Sequence, residues 1–167
     1  DALARFKDGE DITISKLLTH MITFSDNHAS LWLQDMAGSG TAVNTWLEKN
    51  AFAHTRVNSR TVGREAEYEE FGWGQTTPRE MAELLVMIRD GRAVSPSASA
   101  DIYRHLTRIY WDDEALSQIP PTVQAASKQG EVSQSRSEVV LVNAPSGDYV
   151  FCIITNNQAD KRFTKDN

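Results

Sequence analysis

Pro120-Pro121-Thr122-Val123-Gln124-Ala125-Ala126-Ser127-Lys128-Gln129-Gly130 marks the point where the apolar pattern of this chain changes period. Beyond it, Val123 to Lys128, Glu138 to Asn143 and Tyr149 to Asn156 are rich in β-branched and apolar residues and read as strands. Pro145-Ser146-Gly147-Asp148 joins the last two as a hairpin turn. Before it, apolar residues recur at helical spacing: Leu17, Leu18, Met21 and Ile22, then Val43, Trp46 and Leu47, then Met81, Leu84, Leu85 and Ile88, then Ile102, Leu106 and Ile109. Helices first and an antiparallel meander afterwards predict an α+β fold rather than an alternating α/β one.

The helical region covers residues 9–119 and the three strands residues 122–157, within one domain over 1–167. The first helix runs from near Thr13 to Phe24, the second from Asn27 to Met36, and Gly38-Ser39-Gly40 separates it from a third over Thr41 to Asn50. Thr76-Thr77-Pro78-Arg79-Glu80 opens a fourth that ends at Asp90-Gly91, and Ser95-Pro96 opens a fifth that ends near Trp111-Asp112-Asp113. Residues 56–75 carry no periodicity, yet Tyr68, Phe71 and Trp73 favour an ordered Ω-type loop packed on the body of the protein. The sheet is apolar on both faces and no helix comes after it, so an uncovered face and self-association through it are expected. Gln158 to Asn167 is polar and forms no element.

The chain of 167 residues, 40% hydrophobic and 24% charged, has the composition of a globular domain. A net charge of −6, with both signs interspersed, argues against a nucleic-acid surface. The single Cys152 lies in an apolar run and excludes an intrachain disulfide framework or a cysteine metal site; it reads as a buried, inert thiol. The histidines at 20, 28, 54 and 105 have no ligand spacing, so neither a metal nor another cofactor is expected. Trp32, Trp46, Trp73 and Trp111 read as packing residues. No apolar run is long enough to span a membrane, and the start at Asp1 rather than Met leaves upstream processing or truncation open.

Two short stretches carry the chemistry. Phe24-Ser25-Asp26-Asn27 sits between two helices, and Ser127-Lys128-Gln129-Gly130 lies on the first strand. Each has a bland reading, a helix cap for the first and a solvated strand lysine for the second. Their succession does not: Ser-Asp-Asn at a helix junction, a long acidic loop, a Thr-Thr-Pro helix start, then Ser-Lys-Gln-Gly before a hairpin. This order resembles the class A β-lactamases among the penicillin-recognising serine hydrolases, over residues 9–157.

The resemblance implies a β-lactamase/transpeptidase-like fold, incomplete at both ends, with Ser-Asp-Asn facing the lysine strand across a cleft. It implies that Ser25 passes a proton to the leaving nitrogen, Asn27 holds the substrate's side-chain amide and Asp26 ties down the turn. Lys128 keeps the cleft positive, and Gln129 stands where a threonine or serine is usual. Gly130 leaves room for substrate, the backbone N–H of Glu131 completes half of an oxyanion hole, and Arg136 matches an arginine that binds a substrate carboxylate. Arg60 takes the place of the arginine that opens the Ω loop.

Besides Gln129, three departures accompany the match. No Ser-x-x-Lys occurs in this chain, Thr13-Ile14-Ser15-Lys16 being merely similar, and the family's nucleophile helix precedes residue 1. The deacylating glutamate falls on Val62, for which Glu65 or Glu67 are the candidate substitutes, each otherwise a solvated loop acid. The aspartate that pairs with the loop arginine falls on Gly74, so a buried Arg60 needs Glu65, Glu67 or Glu69 instead. The activity that the resemblance implies is that of a serine hydrolase acting by acyl transfer on β-lactams or D-alanyl peptide-like amides, periplasmic or secreted as family members are. The alternatives are a peptidase or esterase of the same superfamily and a non-catalytic sensor of penicillin or cell-wall peptides.

Overall fold

A computed structural model of the chain describes residues 6–132 and 134–159. Most of the expected C-terminal loop, and Asp1 to Arg5, lie outside the described residues. The chain divides into two compact units, Asp1–Glu80 and Met81–Asn167, so the boundary falls inside a helix rather than between the helices and the strands.

The first unit contains helices α1 (Ile14–Thr23), α2 (Asn27–Met36), α3 (Ser39–Lys49) and α4 (Glu65–Phe71), two short strands β1 (Arg56–Val57) and β2 (Gly74–Gln75), and the first turn of α5 (Pro78–Arg89). Thr13 caps α1 by accepting from the Lys16 N–H at 3.3 Å, and Leu17 is the residue this helix buries. Gly38, at φ +92°, turns the chain between α2 and α3. α3 begins at Ser39, not Thr41, and Gly40 lies within it. A Cβ on Gly40 would come within 1.8 Å of Thr61 Oγ1, so this glycine serves the close approach of the loop rather than a break in the helix.

Arg56 pairs with Gln75 and Val57 with Gly74, so the ends of the expected Ω loop meet in a two-residue antiparallel neck. Asn44 extends that neck: its side chain donates to the Val57 carbonyl at 2.8 Å and accepts from the Val57 N–H at 2.7 Å. Within the loop, where the sequence carries no periodicity, α4 forms with Glu65 and Glu67 in its first turn, where carboxylates favour the helix dipole. Its aromatics bury less than expected, Tyr68, Phe71 and Trp73 each remaining at least 40% exposed.

The second unit holds the rest of α5, α6 (Pro96–Leu106), a 3-10 turn (Ala115–Gln118) and strands β3 (Gln124–Val132), β4 (Ser135–Ala144) and β5 (Gly147–Ile154). Ser95 caps α6, which ends at Leu106 with Thr107 closing it, short of the expected Trp111. Its buried residues are Ser99, His105 and Leu106, while Ile102 and Ile109 are half-buried. β3, β4 and β5 form an antiparallel meander in sequence order. β3 runs through Lys128, Gln129 and Gly130 to Val132, and Ala144 pairs with Gly147 across the two-residue turn Pro145-Ser146, Gly147 opening β5 at φ +127°.

Glu138 to Val142 are buried in succession on the central strand. Alternate residues of a strand point to opposite faces, so the middle of the sheet is covered on both sides. The uncovered apolar face expected from the sequence shrinks to Val132 at the end of β3 and to Tyr149 and Ile153 on β5. Cys152 is half-buried and its thiol pKa is raised by burial, which fits an inert thiol. Helices with antiparallel sheets make this an α+β fold.

Candidate functional site

Ser25 comes just after the end of α1 in a left-handed conformation, φ +56°, and the Asp26 N–H returns to the His20 carbonyl at 3.1 Å. A side chain in this region costs about 1–2 kcal/mol, so the turn is held by what surrounds it. Asp26 supplies part of that hold: it is 2% exposed, and its Oδ1 accepts from the Ala29 N–H at 3.0 Å as the cap of α2. Ser25 and Asn27 on either side are exposed. The tripeptide thus turns one carboxylate inward to fix the backbone and sends two polar side chains outward.

Arg60 is not buried. It sits at φ +47° with half its side chain exposed and pairs with Asp35 of α2 at 2.7 Å, so none of the three loop glutamates is its partner. The arginine that packs within the loop is Arg64, which sequence reading passed over. Its Nε donates to Asn58 Oδ1 at 2.7 Å, its Nη2 to Gln75 Oε1 at 3.1 Å, and its Nη1 lies 3.6 Å from Glu67. Asn58 itself is buried and donates to the Gly72 carbonyl at 3.2 Å. Glu65 accepts from the Gly63 N–H at 3.1 Å, and backbone hydrogen bonds, its own N–H first and then that of Gly63, hold its carboxyl below the usual range. Glu65 therefore pins the start of α4 and Glu67 pairs with Arg64, while Val62 is 87% exposed.

A second unforeseen residue closes the neck of this loop. Glu80, 5% exposed, accepts from the backbone N–H groups of His54 at 2.9 Å and Thr55 at 2.6 Å and from the Thr55 hydroxyl at 2.5 Å. Burial pushes its carboxyl up, but these hydrogen bonds outweigh burial and leave it below the ordinary range. The sequence signal, an acid in the first turn of a helix, reads as a dipole partner and hides the long-range contact.

In the second unit Lys128 lies on β3 opposite Val139, sharing one sheet face with it and with Cys152. Its Nζ donates to the Gln129 carbonyl at 2.6 Å. Burial lowers its pKa to about 8, and the charge of Glu138 opposes that fall. Glu138, 7% exposed, accepts from the Ser127 hydroxyl at 2.5 Å and from the Ala115 N–H at 2.8 Å, tying the 3-10 turn to the lysine strand. An acid preceding Val139-Val140-Leu141-Val142 was a legible anomaly, since such residues are seldom buried without partners.

Gln129 Oε1 is buried with no hydrogen-bond partner among the described residues. Gly130 is exposed, and a Cβ there would meet Ser137 Oγ at 3.0 Å. Arg136 faces Glu131 directly in the β3–β4 register and pairs with it at 3.0 Å and with Glu114 at 3.4 Å. The guanidinium expected to receive a substrate carboxylate is thus already engaged by two carboxylates of the chain. Lys128, Gln129, Gly130, Glu131 and Arg136 come together at one end of the sheet, and Ser25, Asp26 and Asn27 at the α1–α2 junction. Arg60, Glu65 and Glu67 each have separate partners.

Among the described residues no three His, Cys, Asp or Glu side chains are grouped to hold a metal, and no helix is long and apolar enough to cross a membrane. The fold resembles that of a beta-lactamase from Sphaerobacter thermophilus, with TM-score 0.83, 24% identity, and coverage of 95% of this chain and 60% of that one. A PBP-A mutant in an acyl-enzyme complex with penicillin G matches with TM-score 0.80 and 20% identity over 98% of this chain and 60% of the other. A class A beta-lactamase from Bacteroides cellulosilyticus gives 0.78 and 18% over 95% and 61%. The chain therefore spans about 60% of the length of these proteins, and the likeness shows a shared fold. No curated protein sequence matches the chain. A family model described as "Beta-lactamase enzyme family" matches residues 2–166, and the chain belongs to that family.

Proposed function

We propose that the intact protein is a class A β-lactamase-like serine hydrolase that acts by acyl transfer on β-lactams or D-alanyl peptide-like amides. The observation that carries this reading is the environment of Lys128, a partly desolvated cation on β3 just before an exposed glycine and the Glu131 N–H. Negative charge that develops on a carbonyl oxygen is stabilised by a fixed cation and by backbone N–H donors, more strongly where water is excluded. A serine nucleophile supplied from outside these residues attacks the amide carbonyl, Ser25 passes a proton to the nitrogen as the C–N bond breaks, and Asn27 holds the acyl side chain. Water then releases the acyl group. The same reading puts the intact protein in the periplasm or outside the cell.

One observation favours a slowly deacylating member, a peptidase, esterase or penicillin sensor, over an efficient lactamase. Glu65 and Glu67 have structural partners, Val62 offers no carboxylate, and a low Glu65 pKa makes a weak base. Mass spectrometry of the intact protein after incubation with a labelled penicillin tests both. A covalent adduct supports acyl transfer, its persistence the slow member and its rapid loss the lactamase. Absence of any adduct sinks the acyl-enzyme reading and leaves non-covalent binding.

A further inference from the structure

Helix α4 buries none of its residues, so packing into the core does not explain it. It carries two features that are unfavourable where they stand. Tyr68 and Phe71, three residues apart, lie side by side on the helix and are exposed, as is Trp73 just beyond its end. Between them, Glu69 and Glu70 make no hydrogen bond or ion pair among the described residues. Glu65 and Glu69 are four apart and Glu67 and Glu70 three apart, spacings at which like charges destabilise a helix. From Val62 to Trp73 the one base is Arg64, which Glu67 engages; four glutamates against it leave a net charge of −3, half of the −6 of the whole chain. The backbone beneath is fixed. Asn58 donates to the carbonyls of Glu67 at 3.4 Å and Gly72 at 3.2 Å, and Arg64 ties Asn58 to Gln75. A face held in this way is preformed, which lowers the ordering cost of binding.

Charge selects what can cover this face. A second copy of the chain, at −6, and an anionic lipid surface both meet repulsion there. A peptide segment that sets Lys or Arg beside apolar side chains is complementary on both counts. Its cations neutralise Glu69 and Glu70 and lie over the aromatic rings, and its apolar side chains remove Tyr68 and Phe71 from water. We propose that the exposed face of α4, formed by Tyr68, Glu69, Glu70 and Phe71 with Trp73 beside it, docks a basic, amphipathic segment of a partner protein. The inference stands apart from the acyl-transfer reading and adds an interaction surface to it.

The probe is an acetylated, amidated peptide Gly-Arg-Leu-Lys-Arg-Leu-Gly, titrated into the intact protein while NMR follows the backbone amides of residues 65–73. These amides shift on binding, and the dissociation constant rises about tenfold when both leucines become serine or when the basic residues become glutamate. Tyr68→Ser and Phe71→Ser each weaken binding about tenfold. Glu69→Gln combined with Glu70→Gln does the same and removes most of the weakening that added salt produces. All four side chains are exposed, so the variants keep the fold. Absence of binding, shifts centred elsewhere, equal binding of the serine peptide, or affinities untouched by these variants overturn the proposal. Shifts of the same amides when the protein alone is concentrated also overturn it, making a second copy the occupant. Penicillin plays no part in this readout, so a failure to acylate sinks the acyl-transfer reading alone.

Discussion

Arg64 and Asn58 are joined across the acidic loop by a 2.7 Å hydrogen bond from Nε to Oδ1, and Asn58 passes the connection on to the Gly72 carbonyl near the end of α4. The pair links the start of the loop to its far side from within. Arg64→Ala and Asn58→Ala should each cost about 1–2 kcal/mol, the second leaving a partly buried guanidinium N–H without its acceptor. Because the two share one bond, the double variant should cost less than the sum by about 1 kcal/mol. Urea denaturation of the four proteins measures this, and strict additivity would show that the contact contributes nothing.

Glu80 joins the neck of the same loop to α5 through three short hydrogen bonds. Glu80→Gln keeps the shape but turns one acceptor oxygen into a donor facing N–H groups, at a cost of about 2–3 kcal/mol. The pH dependence has a defined sign. The folded carboxyl lies below its ordinary value, so its stabilisation is present above about pH 4.3 and is lost as pH falls through the folded pKa. Thermal melts between about pH 3 and pH 7 should converge for wild type and Glu80→Gln at the acid end. A constant gap across that range contradicts the assignment.

The sequence made the regular elements legible, because each rests on local signals. Thr13, Asp26 and Ser95 cap helices where capping chemistry places them, and the strands begin after the change of period at Pro121. It failed where a residue's role depends on a distant partner. Gly40 reads as a helix break until Thr61 is known to lie against it. Arg60 takes the expected place in the loop, yet its left-handed backbone sends the side chain to Asp35, and Arg64 enters the loop instead. Helix α4 escaped notice because seven residues with no buried face carry no amphipathic stripe. Lys128 and Ser25 were readable as motif members and Glu138 as an acid set before an apolar run; the contacts that Glu138 makes with Ser127 and Ala115, and that Glu114 makes with Arg136, were not.

Asp26 separates structural from chemical roles within its motif. It is buried and caps α2, so Asp26→Ala should destabilise the protein by about 2 kcal/mol or more. Asp26→Asn retains an acceptor for the Ala29 N–H and should recover much of that loss. Asn27→Ala removes an exposed group and should change stability by less than about 0.5 kcal/mol. Guanidinium melts decide the matter: a loss at Asn27 as large as at Asp26 would mean that the asparagine, too, is structural.

Lys128 supplies the last test, because two opposed influences set its charge. Burial holds its pKa near 8, and Glu138 keeps it from falling further. Glu138→Gln removes that support, so the midpoint should drop below 8 and the ammonium should begin to discharge near neutral pH. In the wild type the unfolded lysine, with a pKa of about 10.4, holds its proton to higher pH than the folded one. The unfolded state then binds more protons between about pH 8 and pH 10.4, and this residue's contribution makes stability rise with pH across that window. If its cation also assists acylation, the acylation rate of the intact protein falls above about pH 8 in the wild type and from a lower pH in Glu138→Gln. NMR of ¹³Cε-labelled lysine reads the midpoint directly, with Lys128→Met identifying the resonance. A wild-type midpoint near the ordinary lysine value of 10.5, or one that Glu138→Gln leaves in place, would mean that the strand does not desolvate this lysine or that the buried carboxylate does not act on it.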